Sequence, residues 1–122
     1  MASPAGRILV ADDEAEVLDL LRQVLVHRGY EVATASTGEE ALAKVPVFGP
    51  EVLVVDMAMP GLSGVAVLAA LRRQGIGIPV IAMSGLATAA EGFFASLEKP
   101  FSFSRLAAVV AGALAHARSG GA

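Results

Sequence analysis

The spacing of apolar residues changes period several times along the chain, and each change marks a new element. Arg7-Ile8-Leu9-Val10-Ala11 is a short, unbroken apolar run of the kind found in strands buried on both faces. From Glu14 to His27 the spacing turns helical. Val17, Leu18, Leu21, Val24 and Leu25 form one stripe, with Glu16, Asp19 and Gln23 off it. Gly29 supplies a helix stop. Glu31 to Ala35 alternates as a second strand, and Ser36 with Glu39 predicts a capping box opening a helix through Lys44. Pro46, Gly49 and Pro50 end that helix. Val52-Leu53-Val54-Val55 reads as a third buried strand and Val65 to Gln74 as a third helix. Gly75, Gly77 and Pro79 lead into a fourth strand, Val80 to Met83. A weak segment to Ala95 precedes a short strand at Ser96-Leu97-Glu98 and a last helix from about Ser104 to Arg118.

Five strand patterns alternating with helical ones, joined by short connections, predict an α/β domain with a five-stranded parallel sheet. Right-handed crossovers place helices on both faces. No repeat or linker divides residues 1–122, so the expectation is a single domain with its core at about 7–118.

Composition narrows the class. The chain is 55% hydrophobic and only 17% charged, against about 25% charged in an ordinary domain. The longest charge-free stretch, Gln74 to Ala90, contains Gly75, Gly77, Pro79, Ser84 and Gly85, which rules it out as a spanning helix. The N-terminus carries no apolar segment of the signal-peptide kind. There is no cysteine, hence no disulfide framework. A net charge of −3 with Arg72-Arg73 as the longest cationic run argues against direct nucleic-acid binding. These features point to a soluble, cytoplasmic domain without membrane insertion.

The few charges are unevenly placed. Of four aspartates, Asp12 and Asp13 follow the first strand and Asp56 follows the third. The carboxyl ends of strands in an open parallel sheet form its ligand crevice. Carboxylates gathered there repel, so one is protonated or a cation is present. Mg²⁺, a hard, oxygen-seeking ion, answers that need. Singly, Asp12 or Asp13 reads equally as a loop opener or helix cap. Lys99, directly after the fifth strand, and Ser84, at the end of the fourth, fall on the same edge. Three acids, a hydroxyl and an ammonium describe a site for an anion beside a metal, and phosphoryl groups are the common case.

The order Asp12-Asp13-Glu14, Asp56 with Met59-Pro60-Gly61 and Gly64, Ser84, and Lys99-Pro100-Phe101 resembles the receiver domain of two-component response regulators, from Arg7 to about Arg118. The resemblance implies a flavodoxin-like (βα)5 doubly wound fold. By position, Asp56 resembles the phosphate-accepting aspartate and Asp13 a direct Mg²⁺ ligand. Asp12 would act on the metal through water, and Ala58 would offer its backbone carbonyl. Lys99 resembles the residue pairing with phosphoryl oxygens, and Ser84 the hydroxyl that closes onto them. The implied partner is a histidine kinase or histidine phosphotransfer protein. The implied role is that of a phosphorelay component and not an enzyme. Two alternatives stay open within the fold: a degenerate receiver acting as a phosphorylation-independent module, and an excised receiver of a hybrid histidine kinase. A metal-dependent phosphohydrolase would need a further acid-base group, and neither His27 nor His116 lies near a strand's carboxyl end.

The sequence departs from the family at two places, and its last helix raises a further question. Only Gly85 to Glu98 separate Ser84 from Lys99, so the fourth of the family's five helices is expected to be very short, irregular or disordered. Ser96 stands where receivers usually carry Tyr or Phe; Phe94 shares its strand parity, but Phe93 and Phe94 read better as core. In the last helix, Leu106, Val109, Val110, Ala113 and Leu114 should face the sheet. Ala107, Ala108, Ala111 and Ala115 would then face outward, as a tolerated alanine surface or a homodimer contact. With no output domain after residue 122, signalling by protein contact is expected.

Overall fold

The computed structural model describes residues 5–84 and 91–120. Its elements are β1 (Arg7–Ala11), α1 (Ala15–His27), β2 (Glu31–Ala35), α2 (Gly38–Phe48), β3 (Val52–Asp56), α3 (Gly64–Arg73), β4 (Val80–Ser84), β5 (Ala95–Glu98) and α4 (Phe103–Arg118). The strands form one parallel sheet in the order β2-β1-β3-β4-β5. This is the parallel α/β sheet the alternation predicts, in the doubly wound, flavodoxin-like order the resemblance implies. Four helices occur among the described residues. The expected short helix falls largely on residues 85–90, outside the described residues.

Strand parity sorts the core into two layers. Ile8, Val10, Val52, Val54, Ile81 and Met83 turn toward α1 and α4. Leu9, Ala11, Leu53, Val55 and Val80 turn toward α2 and α3. Every residue of β3 is buried, which is why its sequence shows no polar alternation. Most of the apolar excess is thereby accounted for by strands covered on both faces.

Three details differ from the sequence expectation. The α2 cap is Thr37, whose Oγ1 accepts from the Glu40 N–H at 3.0 Å, and the Glu40 carboxylate accepts from the Ser36 N–H at 2.6 Å. Ser-x-x-Glu and Thr-x-x-Glu are offset here by one residue, and the later pair wins because Glu40 also reaches Lys44 one turn on, at 3.0 Å. Pro46 does not end α2. It sits in the last turn, and Gly49 closes the helix in the left-handed region (φ 66°), its N–H bonded to the Val45 carbonyl at 3.0 Å. In α4 the five expected core residues are buried, but so is Ala107. The outward apolar face reduces to Ala108, Ala111 and Ala115, because Ala107 follows Leu106 closely enough to share the edge of its stripe.

The strand ends opposite the candidate site are tied by charge. Glu51 accepts from Arg118 Nε at 3.0 Å and Nη2 at 3.2 Å, and from the Arg7 N–H at 3.3 Å. The Arg118 hydrogen bond is the main cause holding the Glu51 carboxyl below its ordinary value, against a partial opposing effect of burial. A depressed carboxyl pKa stabilises the fold above the unfolded value, about 4.3, and that contribution disappears as pH falls through the native one. Glu51→Gln should therefore lower Tm at pH 7 by about 1–4 °C. Thermal melts across pH should show this gap closing in acid; a gap that persists at pH below the native carboxyl titration would count against the pairing.

Candidate functional site

The strand order reverses direction between β1 and β3, and the carboxyl ends of these two strands open the crevice where doubly wound folds hold ligands. Asp12 and Asp13 lie just past β1, and Asp56 is the last residue of β3. Their carboxylate oxygens come within 4.8 Å of one another. The cluster expected from the sequence is therefore assembled, from residues 44 positions apart in the chain.

Each member is held differently. The Asp12 N–H donates to the Ala35 carbonyl at 3.1 Å, extending the β1–β2 ladder. Its side chain is fully buried; Oδ1 accepts from the Glu14 N–H at 2.9 Å, and Oδ2 accepts from Lys99 Nζ at 3.0 Å. Asp56 is 6% exposed. Its Oδ1 accepts from the Ala58 N–H at 3.2 Å, and its Oδ2 lies 3.5 Å from Lys99 Nζ. Asp13 is exposed. The two buried acids are thus oriented by backbone donors, and the third faces solvent at the crevice mouth.

Lys99 arrives from β5. Its own N–H donates to the Ser84 carbonyl at 2.7 Å, which fixes the end of β5 against the end of β4. Burial is the strongest single effect on its ammonium and works to lower its pKa. The hydrogen bond and charge of Asp12, with the charge of Asp56, outweigh burial and raise the pKa above the ordinary lysine value. Lys99 is therefore cationic throughout the physiological range. Three carboxylates and one ammonium leave a formal charge of −2, and the donors are all hard oxygens. A divalent oxygen-binding cation fits both the charge and the donor chemistry.

Ser84 ends β4, beside the β3 end that carries Asp56. Ser96 lies on the edge strand β5, paired with Ala82 of β4. Phe93 packs against the core on the α2–α3 face, as expected. Phe94 does not belong to the core. It is 39% exposed, and its ring stacks against His116 at 5.3 Å. The Phe94 N–H donates to the Val80 carbonyl at the start of β4, five residues or about 16 Å of extended backbone before Lys99. Phe94 is too far from the site to replace the aromatic ring missing at Ser96.

Sequence reasoning did not find two supports. One is the Glu14 N–H to Asp12, foreshadowed only by the i, i+2 spacing of an Asx turn. The other is the resting contact of Lys99 with Asp12, which joins the two ends of the chain.

Comparison with known proteins agrees with this geometry. The chain belongs to the response regulator receiver domain family, whose model matches residues 8–111. It is similar to the transcriptional regulatory protein PrrA of Mycobacterium bovis, 39% identical over 114 residues, which cover 85% of this chain and 48% of that protein. It also resembles the alkaline phosphatase synthesis transcriptional regulatory protein PhoP of Bacillus subtilis, 41% identical over 78 residues, 64% of this chain and 32% of the relative. The chain thus spans a third to a half of these relatives. Among solved structures, the receiver domain of Francisella response regulator 1452 superposes with a TM-score of 0.85 at 30% identity, over 91% of this chain and 98% of that one.

Proposed function

We propose that this receiver accepts a phosphoryl group on Asp56 from a phosphohistidine of a histidine kinase or phosphotransfer protein. The observation that carries the reading is the gathering of the Asp12, Asp13 and Asp56 carboxylates at the β1–β3 switch point, with the Lys99 ammonium on Asp12 and Asp56. An Asp56 carboxylate oxygen attacks phosphorus, and an acyl phosphate forms as the histidine N–P bond breaks. The leaving imidazole keeps the electron pair and takes its proton from solvent. The Ala58 N–H on Oδ1 limits rotation of the Asp56 carboxylate and presents the other oxygen for attack. Lys99 then moves from carboxylate oxygens to phosphoryl oxygens, a short displacement because Asp12 already holds it in place. Ser84, at the adjacent strand end, offers a hydroxyl to the same oxygens.

Asp13 and Asp56, with the Ala58 carbonyl, would hold Mg²⁺ directly and Asp12 would hold it through water. The metal, when bound, supplies charge that offsets the transferring oxygens. Beside the site lies a groove of about 430 Å³ lined by Glu14, Val17, Leu20, Lys99, Phe101 and Phe103. Leu20 and Phe103 are large apolar side chains left nearly half exposed there, which supports docking of the phosphodonor protein on this face.

Incubation with acetyl phosphate tests the reading. Stoichiometric labelling that requires Mg²⁺ and stops in EDTA is the expected result, read by intact mass. No labelling with Mg²⁺ present would favour a binding module that keeps only the fold. Continuous turnover of a phosphomonoester would favour a hydrolase instead.

A further inference from the structure

The loop at residues 57–63 joins Asp56 to α3 and carries Ala58, so its placement decides where the Ala58 N–H and carbonyl sit. The Met57 N–H donates to the Met83 carbonyl at 2.9 Å, which anchors the start of the loop. Ser63 caps α3 at its far end, accepting from the Ala66 N–H at 3.3 Å. Between these points the loop rests on a different helix. Gly38, the first residue of α2, is buried directly against Leu62. A Cβ on Gly38 would lie 2.6 Å from both Leu62 Cβ and the Leu62 carbonyl oxygen, and 3.0 Å from Val67 Cγ2. Gly38 has a negative φ, so glycine is needed there for space and not for backbone conformation.

We infer that Gly38 is a positioning residue for the metal and phosphoryl site: its missing side chain lets the 57–63 loop settle against α2 at the depth that places Ala58 beside Asp56. The inference rests on the proposed Mg²⁺-dependent function and adds a support from a helix that contributes no group to the site. One facing atom is backbone oxygen, so a methyl on Gly38 cannot be absorbed by a side-chain rotation alone. The loop must rise or α2 must retreat. Leu62 is four residues from Ala58, and a short loop pinned at Met57 transmits that shift to Ala58. Gly61, held at φ 79° with the Glu39 carboxylate about 3.0 Å from where its own Cβ would stand, leaves little alternative path for the chain between them.

The test compares Gly38→Ala with Val45→Ala, a buried change further along α2 that loosens the core without touching the loop. Isothermal titration with Mg²⁺ should show about tenfold weaker binding for Gly38→Ala, and affinity within about twofold of wild type for Val45→Ala, although both melt earlier. Amide resonances of Met57 and Ala58 should shift only in the first variant. Equal Mg²⁺ affinity in the two variants overturns the inference. If Gly38→Ala does not fold, Leu62→Gly removes the side-chain half of the same contact, and an unchanged affinity there overturns it equally. Wild-type protein that neither binds Mg²⁺ nor becomes labelled would instead defeat the underlying functional reading, and this inference with it.

Discussion

Asp56→Asn should abolish phosphoryl labelling by any donor, with or without Mg²⁺, and leave the fold intact. A carboxylate oxygen is the attacking atom in the proposed transfer, and an amide of the same shape presents no anionic oxygen to phosphorus. The shape itself is preserved: an asparagine carbonyl at Oδ1 can still accept from the Ala58 N–H, which Asp56 does at 3.2 Å. The lost charge removes the longer contact to Lys99 at 3.5 Å, while the 3.0 Å pair between Lys99 and Asp12 remains. One carboxylate fewer within a 4.8 Å cluster also relieves repulsion in metal-free protein. Loss of labelling should therefore come with a Tm equal to or above that of wild type in EDTA. Intact mass after treatment with acetyl phosphate reads the first, and a thermal melt the second. Stoichiometric labelling of Asp56→Asn would sink the assignment of Asp56, and loss of labelling through unfolding would show in the melt.

The legible part of this protein is the part written in single residues on regular elements. Unbroken apolar runs at Ile8–Ala11 and Val52–Val55 could only be strands covered on both sides, and once they were strands the acids after them had to share an edge. That reasoning brought Asp12, Asp13, Asp56, Ser84 and Lys99 to one end of the sheet. Interactions between elements without a periodic signature were not legible. Gly38 carries no signal in the sequence, because nothing in its neighbours reveals that Leu62, in the loop before α3, presses on it. Phe94 shared parity with Ser96, yet parity says nothing about distance along a strand, and its ring ended up on His116. Pro46 was misjudged because one proline removes a single backbone donor, and the Gly49 N–H bond to the Val45 carbonyl still closes the helix beyond it. Ala107 shows the same limit: a residue at the margin of a helical stripe is assigned by the neighbour that covers it.

Asp13→Asn should have opposite effects on stability in the absence and presence of Mg²⁺. Asp13 is the exposed member of the cluster, while among the described residues the Lys99 ammonium pairs with Asp12 and Asp56. In EDTA its charge has repulsion to lose and, among the described residues, no ion pair to break, so the variant should melt at the same temperature as wild type or slightly above. With saturating Mg²⁺ the order reverses. A ligand that binds only the native state stabilises it by about 2.7 kcal/mol at a concentration 100 times its Kd. At the same Mg²⁺ concentration a variant with tenfold weaker binding gains about 1.4 kcal/mol, and one with hundredfold weaker binding about 0.4 kcal/mol. The melting curves of the two proteins should therefore cross between EDTA and millimolar Mg²⁺, with wild type gaining several degrees and the variant much less. Ca²⁺, which also takes oxygen ligands, should reproduce the crossing if charge balance is its cause. Parallel Mg²⁺ gains in both proteins would remove Asp13 from the metal site. A variant destabilised already in EDTA would show that its carboxylate has a structural partner in the fold, and the charge count of −2 at the site would then no longer be a reason to place a divalent ion there.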